Sequence, residues 1–437
     1  MARKMKDSGI EWIGEIPTDF SLYKLKYLLS SPLCYGANES GTLYSDILPR
    51  YIRITDISPN GTLKNSGMLS LDESSAQNYM LHEGDILFAR SGATVGKSFI
   101  YHNYYGRAAY AGYLIKASFN RLVLPEFVYY YTCSSAYEIW KNSIFIQSTI
   151  QNIGADRYSN LPISVPNSID KQLRIVRYLN NFCSKFDAII YNLQTSIEDY
   201  KKLKQAVITQ AVTKGVRGER EMKDSGIDYI GQIPAKWVLG KLRNVGDTQN
   251  GISKSSEFFG KGFPFVSYSD VYKNYSLPFA VSGLVESTPE EQERYSVKEG
   301  DIFFTRTSET IEEVGFSCVC EKDIPNATFA GFLIRVRPFS DKLHTPYAKY
   351  YFRSSHLRFY LVKEMNLVTR ASLGQSLLKS MPVLLPPLEE QKEIADYLDT
   401  KCAEIDGLIA KKEQLVKELE SYKKSLIYEV VTGKREV

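Results

Sequence analysis

The chain has 437 residues, of which 43% are apolar and 24% are charged, and its formal net charge is +4. The apolar fraction suffices for packed cores and excludes a disordered chain, and the length predicts more than one domain. The weak positive charge permits an anionic partner without requiring one. No signal-peptide core follows the charged N-terminus and no segment has membrane-spanning length. We therefore expect a cytoplasmic protein, with its six scattered cysteines reduced.

The first predicted element is an opening motif that occurs twice. Residues 5–20 (MKDSGIEWIGEIPTDF) return with few changes as residues 222–237 (MKDSGIDYIGQIPAKW). Further echoes follow in the same order: YIRITDI at 51–57 and FVSYSDV at 265–271, EGDILFAR at 83–90 and EGDIFFTR at 299–306, YAGYLI at 110–115 and FAGFLI at 329–334, LPISVP at 161–166 and MPVLLP at 381–386. A repeat of this length is too long for a solenoid unit. The sequence therefore predicts a tandem duplication of two full domains.

Each copy reads as a loop-rich α+β domain. Short aromatic and β-branched runs, separated by Gly, Pro and Asn, are typical of strands. Residues 38–50, 92–107 and 142–160 have no convincing counterparts in the second copy. A duplicated framework with divergent loops is expected of a scaffold that presents two different recognition surfaces, although neutral drift in surface loops gives the same pattern.

The sequence matches none of the catalytic or metal-binding motifs that we considered. Residues 91–98 (SGATVGKS) fall one glycine short of a phosphate-binding loop, and we interpret them as a turn after a strand. The pair Cys318 and Cys320 lacks a second pair of zinc ligands. The four histidines, His82, His102, His344 and His356, have no metal-binding spacing. The sequence therefore predicts no active site and no bound metal.

A long helix is predicted after each domain. Apolar residues follow the three-and-four spacing of one helix face at Phe186, Ile190, Leu193, Ile197, Tyr200, Leu203, Val207 and Ala211, and again at Ile405, Ile409, Val416, Leu419, Tyr422, Leu426 and Val430. Lys412 interrupts the second stripe, and Gly215 and Gly433 are available as C-terminal stops. We expect a kink or turn at residues 180–185. Because each stripe is narrow, we expect the two helices to pair with each other.

The remaining surface is suited to nucleic acid. Basic residues lie among aromatics at 99–107 (FIYHNYYGR) and 353–360 (RSSHLRFY), and polar residues cluster at 147–152 (QSTIQN) and 369–372 (TRAS). Arg and Lys can hold phosphates or read guanine, and Gln and Asn can read adenine. The predicted DNA-binding residues are Arg90, Lys97, Arg107, Gln147, Thr149, Gln151, Lys254, Arg306, Thr369, Arg370 and Ser372.

Taken together, the motifs resemble the specificity subunit of type I restriction-modification systems. The resemblance covers the whole chain and is carried by the two opening motifs, the two EGDI strands and the helix start at 386–398 (PPLEEQKEIADYL). The first copy of that helix start, residues 166–172 (PNSIDKQ), lacks the second Pro and both Glu residues.

The resemblance implies an α+β chain of four parts: target-recognition domains at 1–167 and 217–386, and helical regions at 168–216 and 387–437. Their long helices would form an antiparallel coiled coil that sets the distance between two DNA half-sites. The chain itself would bind no cofactor and catalyse nothing. Its partners would be duplex DNA, two methyltransferase subunits and, through them, restriction subunits, which would supply the S-adenosylmethionine, Mg²⁺ and ATP chemistry. Residues 170–180 and 389–398 would dock the partners.

Two other classes stay open from the sequence. One is a nuclease or methyltransferase whose motifs are unfamiliar, which DNA incubated with Mg²⁺ and S-adenosylmethionine would detect. The other is a coiled-coil adaptor that binds no DNA, which salt-dependent binding to duplex DNA would exclude.

Overall fold

The computed structural model of the protein describes residues 3–58, 61–92, 94–145, 152–308, 313–364 and 371–437. The chain forms two compact units. Unit 1 consists of two separate segments of the chain, and unit 2 is the continuous segment between them. Unit 1 comprises Met1–Gln194 and Gln414–Val437, and unit 2 comprises Thr195–Glu413. Each long helix therefore contributes one part to each unit. The domain boundaries drawn from the sequence stay predictions.

Unit 1 contains twelve strands among its described residues, and most are two to five residues long. They are β1 (Met5–Asp7), β2 (Glu15–Pro17), β3 (Phe20–Lys24), β4 (Cys34–Tyr35), β5 (Thr42–Leu43), β6 (Arg50–Ile52), β7 (Leu69–Ser70), β8 (Ile86–Ala89), β9 (Ser98–Ile100), β10 (Ala108–Tyr110), β11 (Leu114–Ala117) and β12 (Pro162–Pro166). Its helices are α1 (Glu73–Ala76), α2 (Pro125–Thr132), α3 (Ser135–Phe145), α4 (Ala155–Ser159) and the first part of α5 (Ile169–Lys214).

Two four-stranded sheets organise unit 1. Their strand orders are β4-β11-β8-β9 and β10-β6-β7-β5, and β1-β2 and β3-β12 form separate antiparallel pairs. β6 and β10 run parallel, whereas the β4-β11-β8-β9 sheet is antiparallel throughout. The main core packs apolar side chains of the β4-β11-β8-β9 sheet, such as Phe88 and Ile115, against the aromatic faces of α2 and α3.

Unit 2 repeats this arrangement with longer strands. They are β13 (Met222–Asp224), β14 (Gln232–Pro234), β15 (Val238–Lys241), β16 (Gly246–Asn250), β17 (Phe259–Val266), β18 (Gly283–Val285), β19 (Ile302–Thr305), β20 (Thr307–Ser308), β21 (Ser317–Val319), β22 (Thr328–Phe329), β23 (Leu333–Pro338), β24 (Ala371–Ser372) and β25 (Pro382–Leu385). Its helices are α6 (Tyr268–Lys273), α7 (Pro289–Arg294), α8 (Thr345–Tyr351), α9 (Ser355–Glu364), α10 (Gln375–Ser380) and the first part of α11 (Leu388–Val431).

The sheets of unit 2 confirm the alignment of the sequence echoes. The order β16-β23-β19-β21 matches β4-β11-β8-β9, and parallel β17 and β22 match β6 and β10. The registers agree residue by residue, since Leu114 lies opposite Ala89 and Leu333 lies opposite Thr305. The α+β duplication predicted from the sequence is therefore present.

The structure corrects one expectation about the first long helix. α5 runs from Ile169 to Lys214 without a turn at residues 180–185. Within the helix, the Asn180 side-chain oxygen accepts a hydrogen bond of 2.5 Å from the Tyr130 hydroxyl of α2. Unit 2 has the matching contact, in which the Tyr350 hydroxyl donates to Asp399 at 2.6 Å. A polar residue that looked like a helix breaker thus anchors a neighbouring helix.

The two long helices end and pair largely as predicted. Gly215 and Gly433 follow the helix ends with φ of 78° and 74°, a conformation that glycine adopts without strain. Within unit 2 the pairing is antiparallel, since Lys204 binds Asp406 at 2.6 Å while the Lys412 ammonium lies 5.6 Å from the centre of the Tyr200 ring. Lys412 is therefore accommodated by a cation–π contact. Leu203 and Tyr422 are about half exposed, so the stripes are covered incompletely.

A buried glutamine fixes the start of each long helix. Gln172 accepts a hydrogen bond from the Leu124 N–H at 2.8 Å and donates to two carbonyls, and Gln391 accepts from the His344 N–H at 2.8 Å and likewise donates to two carbonyls. Both side chains are fully enclosed. These bonds satisfy main-chain groups that would otherwise be buried without partners. The two helix starts therefore share their key contact although their sequences differ.

Candidate nucleic-acid interface

The EGDI motif positions one arginine in each unit. Gly84 and Gly300 have φ of 83° and 85°, which makes a sharp turn before the strand. The next residue is a buried aspartate, and Asp85 and Asp301 accept hydrogen bonds from the N–H groups of His82 and Lys298 at 2.9 and 2.8 Å. These turns fix where β8 and β19 begin. The motif is therefore structural, and it orients the strands whose far ends lead into the two arginines.

The main chain at each arginine is held on both sides. The Arg90 N–H donates to the Tyr113 carbonyl at 3.0 Å, and the Arg90 carbonyl accepts from the Ile153 N–H at 2.9 Å. The Arg306 N–H donates to the Phe332 carbonyl at 2.9 Å, and the Arg306 carbonyl accepts from Leu373 at 2.7 Å. Because the N–H and the carbonyl of each arginine are both hydrogen-bonded, the backbone is held in place and only the side chain is free to move.

In unit 1, four polar or aromatic residues converge, which we call the Arg90 group: Arg90, Tyr35, Tyr113 and Asn152. The guanidinium carbon of Arg90 lies 5.0 Å from the centre of the Tyr35 ring. Tyr113 is 64% exposed. Asn152 forms an isolated antiparallel β-bridge with Ser91. Its buried side-chain oxygen has no hydrogen-bond partner among the described residues. The group offers a cation, exposed aromatic surface and an unsatisfied acceptor side by side.

Unit 2 has the corresponding Arg306 group: Arg306, Phe332, Ser372 and Asn250. Phe332 is 65% exposed, like Tyr113, and Ser372 pairs with Thr307 across β20 and β24. Asn250 takes the place of Tyr35, since it lies opposite Ile334 as Tyr35 lies opposite Ile115. The Arg306 guanidinium meets no aromatic ring and no carboxylate within the described ranges. The two groups thus share a backbone and differ in their side chains.

Comparison with known proteins identifies the family. The model for the type I restriction modification DNA specificity domain matches residues 44–199 and 234–418, more than half of the chain. The chain belongs to this family of DNA specificity domains. By this membership it is a specificity component of a restriction-modification system and not a catalytic subunit.

Individual relatives agree with the family assignment. The specificity subunit of the type I restriction enzyme MjaVIII from Methanocaldococcus jannaschii is 25% identical over 360 residues, which cover 81% of this chain and 80% of that protein. The EcoKI specificity subunit of Escherichia coli is 24% identical over 312 residues, covering 69% of this chain and 65% of that protein. A chain from a solved type I restriction-modification complex has a TM-score of 0.72 at 17% identity, covering 96% of this chain and 99% of that one, and so shares the fold.

The remaining candidate residues of this specificity chain lie in different settings. Lys97 is exposed on the turn before β9, and its carbonyl accepts from the Ala89 N–H at 2.8 Å, next to Arg90. Arg107 forms a surface ion pair with Glu73. Lys254 is only 14% exposed, and its ammonium donates to Glu291 at 2.7 Å and to the Glu286 carbonyl at 2.6 Å. Five candidates lie outside the described residues: Gln147, Thr149, Gln151, Thr369 and Arg370.

Residues 353–360 were predicted to form a basic and aromatic surface for nucleic acid, and this prediction is wrong for Arg353. Arg353 donates to four main-chain carbonyls, at 2.6 to 3.2 Å, and packs between the Tyr275 and Phe316 rings. Burial lowers the pKa of its guanidinium. His356 is buried as well, and burial lowers its pKa to about 3. Arg353 and His356 therefore stabilise unit 2 and are not offered to a ligand.

The structure also corrects the view that residues 142–160 lack a counterpart. Ile153, Gly154 and α4 match Leu373, Gly374 and α10, because both segments bond to the arginine carbonyl and both helices start after the glycine. An apolar residue followed by Gly at corresponding places in both copies was a signal for this match. The exposed aromatics Tyr113 and Phe332 were also visible inside the aligned YAGYLI and FAGFLI echoes. Tyr35 left no signal, because it has no aromatic counterpart.

Residues 94–97 lie in the connection of an antiparallel hairpin between β8 and β9, and the strand β9 follows where a phosphate-binding loop would lead into a helix. In the described part of the chain, no group of three or more His, Cys, Asp or Glu side chains could hold a metal ion. Across the same residues, no helix is long and apolar enough to cross a lipid bilayer.

Proposed function

We propose that this chain recognises a DNA target made of two short half-sites, one read by each unit, and directs partner subunits to it. The single observation that carries the proposal is the duplicated arginine, held by identical main-chain bonds in both units and surrounded by different side chains. Because an arginine on rigid backbone can read guanine with two hydrogen bonds, the shared geometry supports a shared role. The different neighbours support different half-site sequences.

The chemistry of each group suits a major groove. Arginine donates to the O6 and N7 atoms of guanine. The exposed rings of Tyr113 and Phe332 can contact thymine methyl groups. Exposed cations such as Lys97 and Arg107 would hold phosphates, which fix the register without reading the sequence.

We further propose that adenine methyltransferase subunits bind the chain and that restriction subunits join through them. The relatives are specificity subunits of restriction enzymes, which supports this assignment. The first residues of the two long helices, Ile169 and Leu388, are apolar and exposed at 37% and 40%, as expected of docking surfaces. The chain itself would bind no cofactor, and S-adenosylmethionine, Mg²⁺ and ATP would be used by the partners.

The decisive experiment maps methylated adenines after the full chain and its methyltransferase subunits are expressed in a host without other adenine methylation. We expect one motif with two half-sites separated by unspecified base pairs. Arg90→Ala should relax one base pair of one half-site, and Arg306→Ala one base pair of the other, each at a cost of about 1–3 kcal/mol. Arg121→Ala, which removes an exposed arginine of unit 1 outside the Arg90 group, serves as the matched control.

Three outcomes would contradict the proposal. A continuous motif would contradict the two half-sites. Changes in both half-sites from a single arginine variant would contradict the assignment of one half-site to each unit. An equal loss of binding to target and random duplexes would make the arginines phosphate contacts, because such contacts carry no sequence information.

A further inference from the structure

We propose that Tyr35 is the positioning residue that presents Arg90 to the DNA half-site read by unit 1. The inference rests on the proposed DNA recognition and names a residue on which the specificity of one half-site depends. It predicts that unit 2, which lacks an equivalent ring, reads its half-site without such a device.

The position of Tyr35 is fixed by three separate contacts. Its main chain lies in β4 opposite Ile115 of β11. The neighbouring Gly36 passes so close to β10 that an added Cβ would lie 2.3 Å from the Tyr110 carbonyl oxygen, so the backbone cannot move further towards β10. Its hydroxyl accepts a hydrogen bond of 3.0 Å from the Ala155 N–H at the start of α4. The ring is therefore anchored at both ends.

The contact between Tyr35 and Arg90 leaves the reading edge of the guanidinium free. The guanidinium carbon lies 5.0 Å from the ring centre, over the ring, and within the described residues none of the guanidinium N–H groups donates a hydrogen bond. The main-chain N–H and carbonyl of Arg90 are also hydrogen-bonded, so the backbone is already fixed. The contact with Tyr35 then restricts the conformations of the side chain before DNA binds. Preorganisation of this kind improves binding because less conformational entropy is lost on association. It also holds the planar fork in the orientation that two bonds to guanine require.

Unit 2 supplies the internal contrast. Asn250 occupies the place of Tyr35 and has no aromatic face, and its buried side-chain oxygen has no hydrogen-bond partner within the described ranges. Arg306 is held by the same main-chain bonds as Arg90, but no aromatic ring of the described residues lies beneath it. The loss of Tyr35 should therefore affect the half-site of unit 1 alone.

The test uses the full chain with its methyltransferase subunits and duplexes that carry the mapped target or a single base-pair change. Tyr35→Leu should reduce discrimination at the base pair read by Arg90 by roughly threefold to tenfold, the size expected of a cation–π contact that is only partly desolvated. Tyr35→Phe should keep most of it, because the ring stays. Arg90→Lys, which leaves Tyr35 in place, should lose as much as Tyr35→Leu, since an ammonium has no planar fork.

A double-mutant cycle separates positioning from a general structural role. If Tyr35 acts through Arg90, Tyr35→Leu should have no further effect in an Arg90→Ala background. Tyr44→Leu is the matched control, since Tyr44 has the same exposure of 42% and contacts Asp46 instead. Discrimination at the half-site of unit 2 should be unchanged in every unit 1 variant.

Two results would overturn the inference while the proposed function stands: full discrimination in Tyr35→Leu, or the same loss from Tyr35→Leu in the presence and absence of Arg90. If Tyr35→Leu does not fold, Tyr35→Phe decides, and a loss of discrimination in that variant overturns the assignment of positioning to the ring. If the wild-type complex shows no preference for any mapped target over random duplex, the proposed function and the inference fail together.

Discussion

The two units share their framework hydrogen bonds and differ in where they place charge. Gln172 and Gln391 make the same three bonds, but the residue before each of them differs. In unit 2 that residue is Glu390, which is 3% exposed and binds both Arg220 and the Trp237 indole N–H. In unit 1 it is Lys171, which binds the surface residue Asp19 at 2.5 Å.

The acid lies on the loop in unit 1 and on the helix in unit 2, but each unit keeps a cluster of an arginine, an acid and an aromatic ring. Arg3 in unit 1 and Arg220 in unit 2 both lie over the aromatic ring that ends the opening motif, Phe20 and Trp237 respectively. Unit 1 places its acid, Asp19, on the loop with 54% exposure, whereas unit 2 buries its acid on the helix. Duplication has therefore preserved buried amide contacts to the main chain, while side-chain ion pairs were free to be rebuilt.

The largest effect is expected from breaking the buried pair of unit 2. Glu390→Ala should destabilise unit 2 by about 3–5 kcal/mol, because it leaves the Arg220 charge and the Trp237 N–H without their buried partner. Lys171→Ala should cost unit 1 less than about 1 kcal/mol, because an exposed ion pair contributes little and Asp19 keeps Arg3. Amide hydrogen exchange should measure each unit separately, since a chain with two units need not unfold in one step.

Glu390→Gln is the control for this comparison. It removes the charge but keeps an oxygen for the Trp237 N–H, so its cost should lie between those of the other two variants. Equal destabilisation by Glu390→Ala and Lys171→Ala would show that burial of the acid does not distinguish the two helix starts.

Much of this framework was predictable from the sequence because duplication doubles every local signal. The strands, the two glycine stops and the long helices follow from motifs that occur twice and from local spacing. The role of Asn180 in α5 was not predictable, because the Tyr130 hydroxyl that it binds lies 50 positions away along the chain. The buried role of Arg353 was missed for the same reason, since its four carbonyl partners come from segments that only the fold brings together.

The candidate interface was predictable only in part. Arg90 and Arg306 were named because they end aligned strands, and the structure brings each beside the segment that precedes α4 or α10. The stack of Arg90 on Tyr35 was hidden, because the two residues meet only when β4 and β8 flank β11 in one sheet. Lys254 looked like a DNA contact by residue type, although its ammonium is engaged by Glu291 and a carbonyl. Residue type alone does not reveal which cations are already paired.

A second comparison concerns a buried position that holds His356 in unit 2 and Ala136 in unit 1. Both follow a buried serine, Ser354 or Ser134, that donates to a tyrosine carbonyl at the end of the preceding helix. Burial lowers the pKa of His356 to about 3, and neither ring nitrogen has a hydrogen-bond partner among the described residues. The folded protein therefore holds this imidazole neutral, whereas the unfolded chain protonates it below a pH of about 6.5.

This difference predicts a pH dependence confined to unit 2. The stabilising effect of a neutral His356 is present above about pH 6.5 and is lost as the pH falls towards the folded pKa of about 3. At about 1.4 kcal/mol per pH unit, unit 2 should lose about 2 kcal/mol between pH 6.5 and pH 5 through this group. Hydrogen exchange at both pH values, with His356→Ala as the control, isolates the contribution. An unchanged pH slope in His356→Ala would contradict it.

The smallest effect is expected from two substitutions that compare an exposed lysine with a lysine in an ion pair. Lys97 of unit 1 is exposed beside the Arg90 group, whereas Lys254 of unit 2 is committed to Glu291. If Lys97 contacts a phosphate, Lys97→Ala should weaken binding to random and target duplexes alike and reduce the slope of log affinity against log salt by about 1. Lys254→Ala should leave that slope unchanged and should raise the pKa of Glu291, which the hydrogen bond from Lys254 lowers.

The matched control is Lys24→Ala, which removes an exposed lysine of β3 that was not predicted to contact DNA. Its salt slope should equal that of the wild type, because only counterions released from contacted phosphates enter the slope. A reduced slope for Lys254→Ala would mean that its ion pair opens on binding and that unit 2 offers this cation to DNA after all. Equal slopes for Lys97→Ala and the wild type would instead remove Lys97 from the interface, and the Arg90 group would then read its half-site without a neighbouring phosphate contact at this turn.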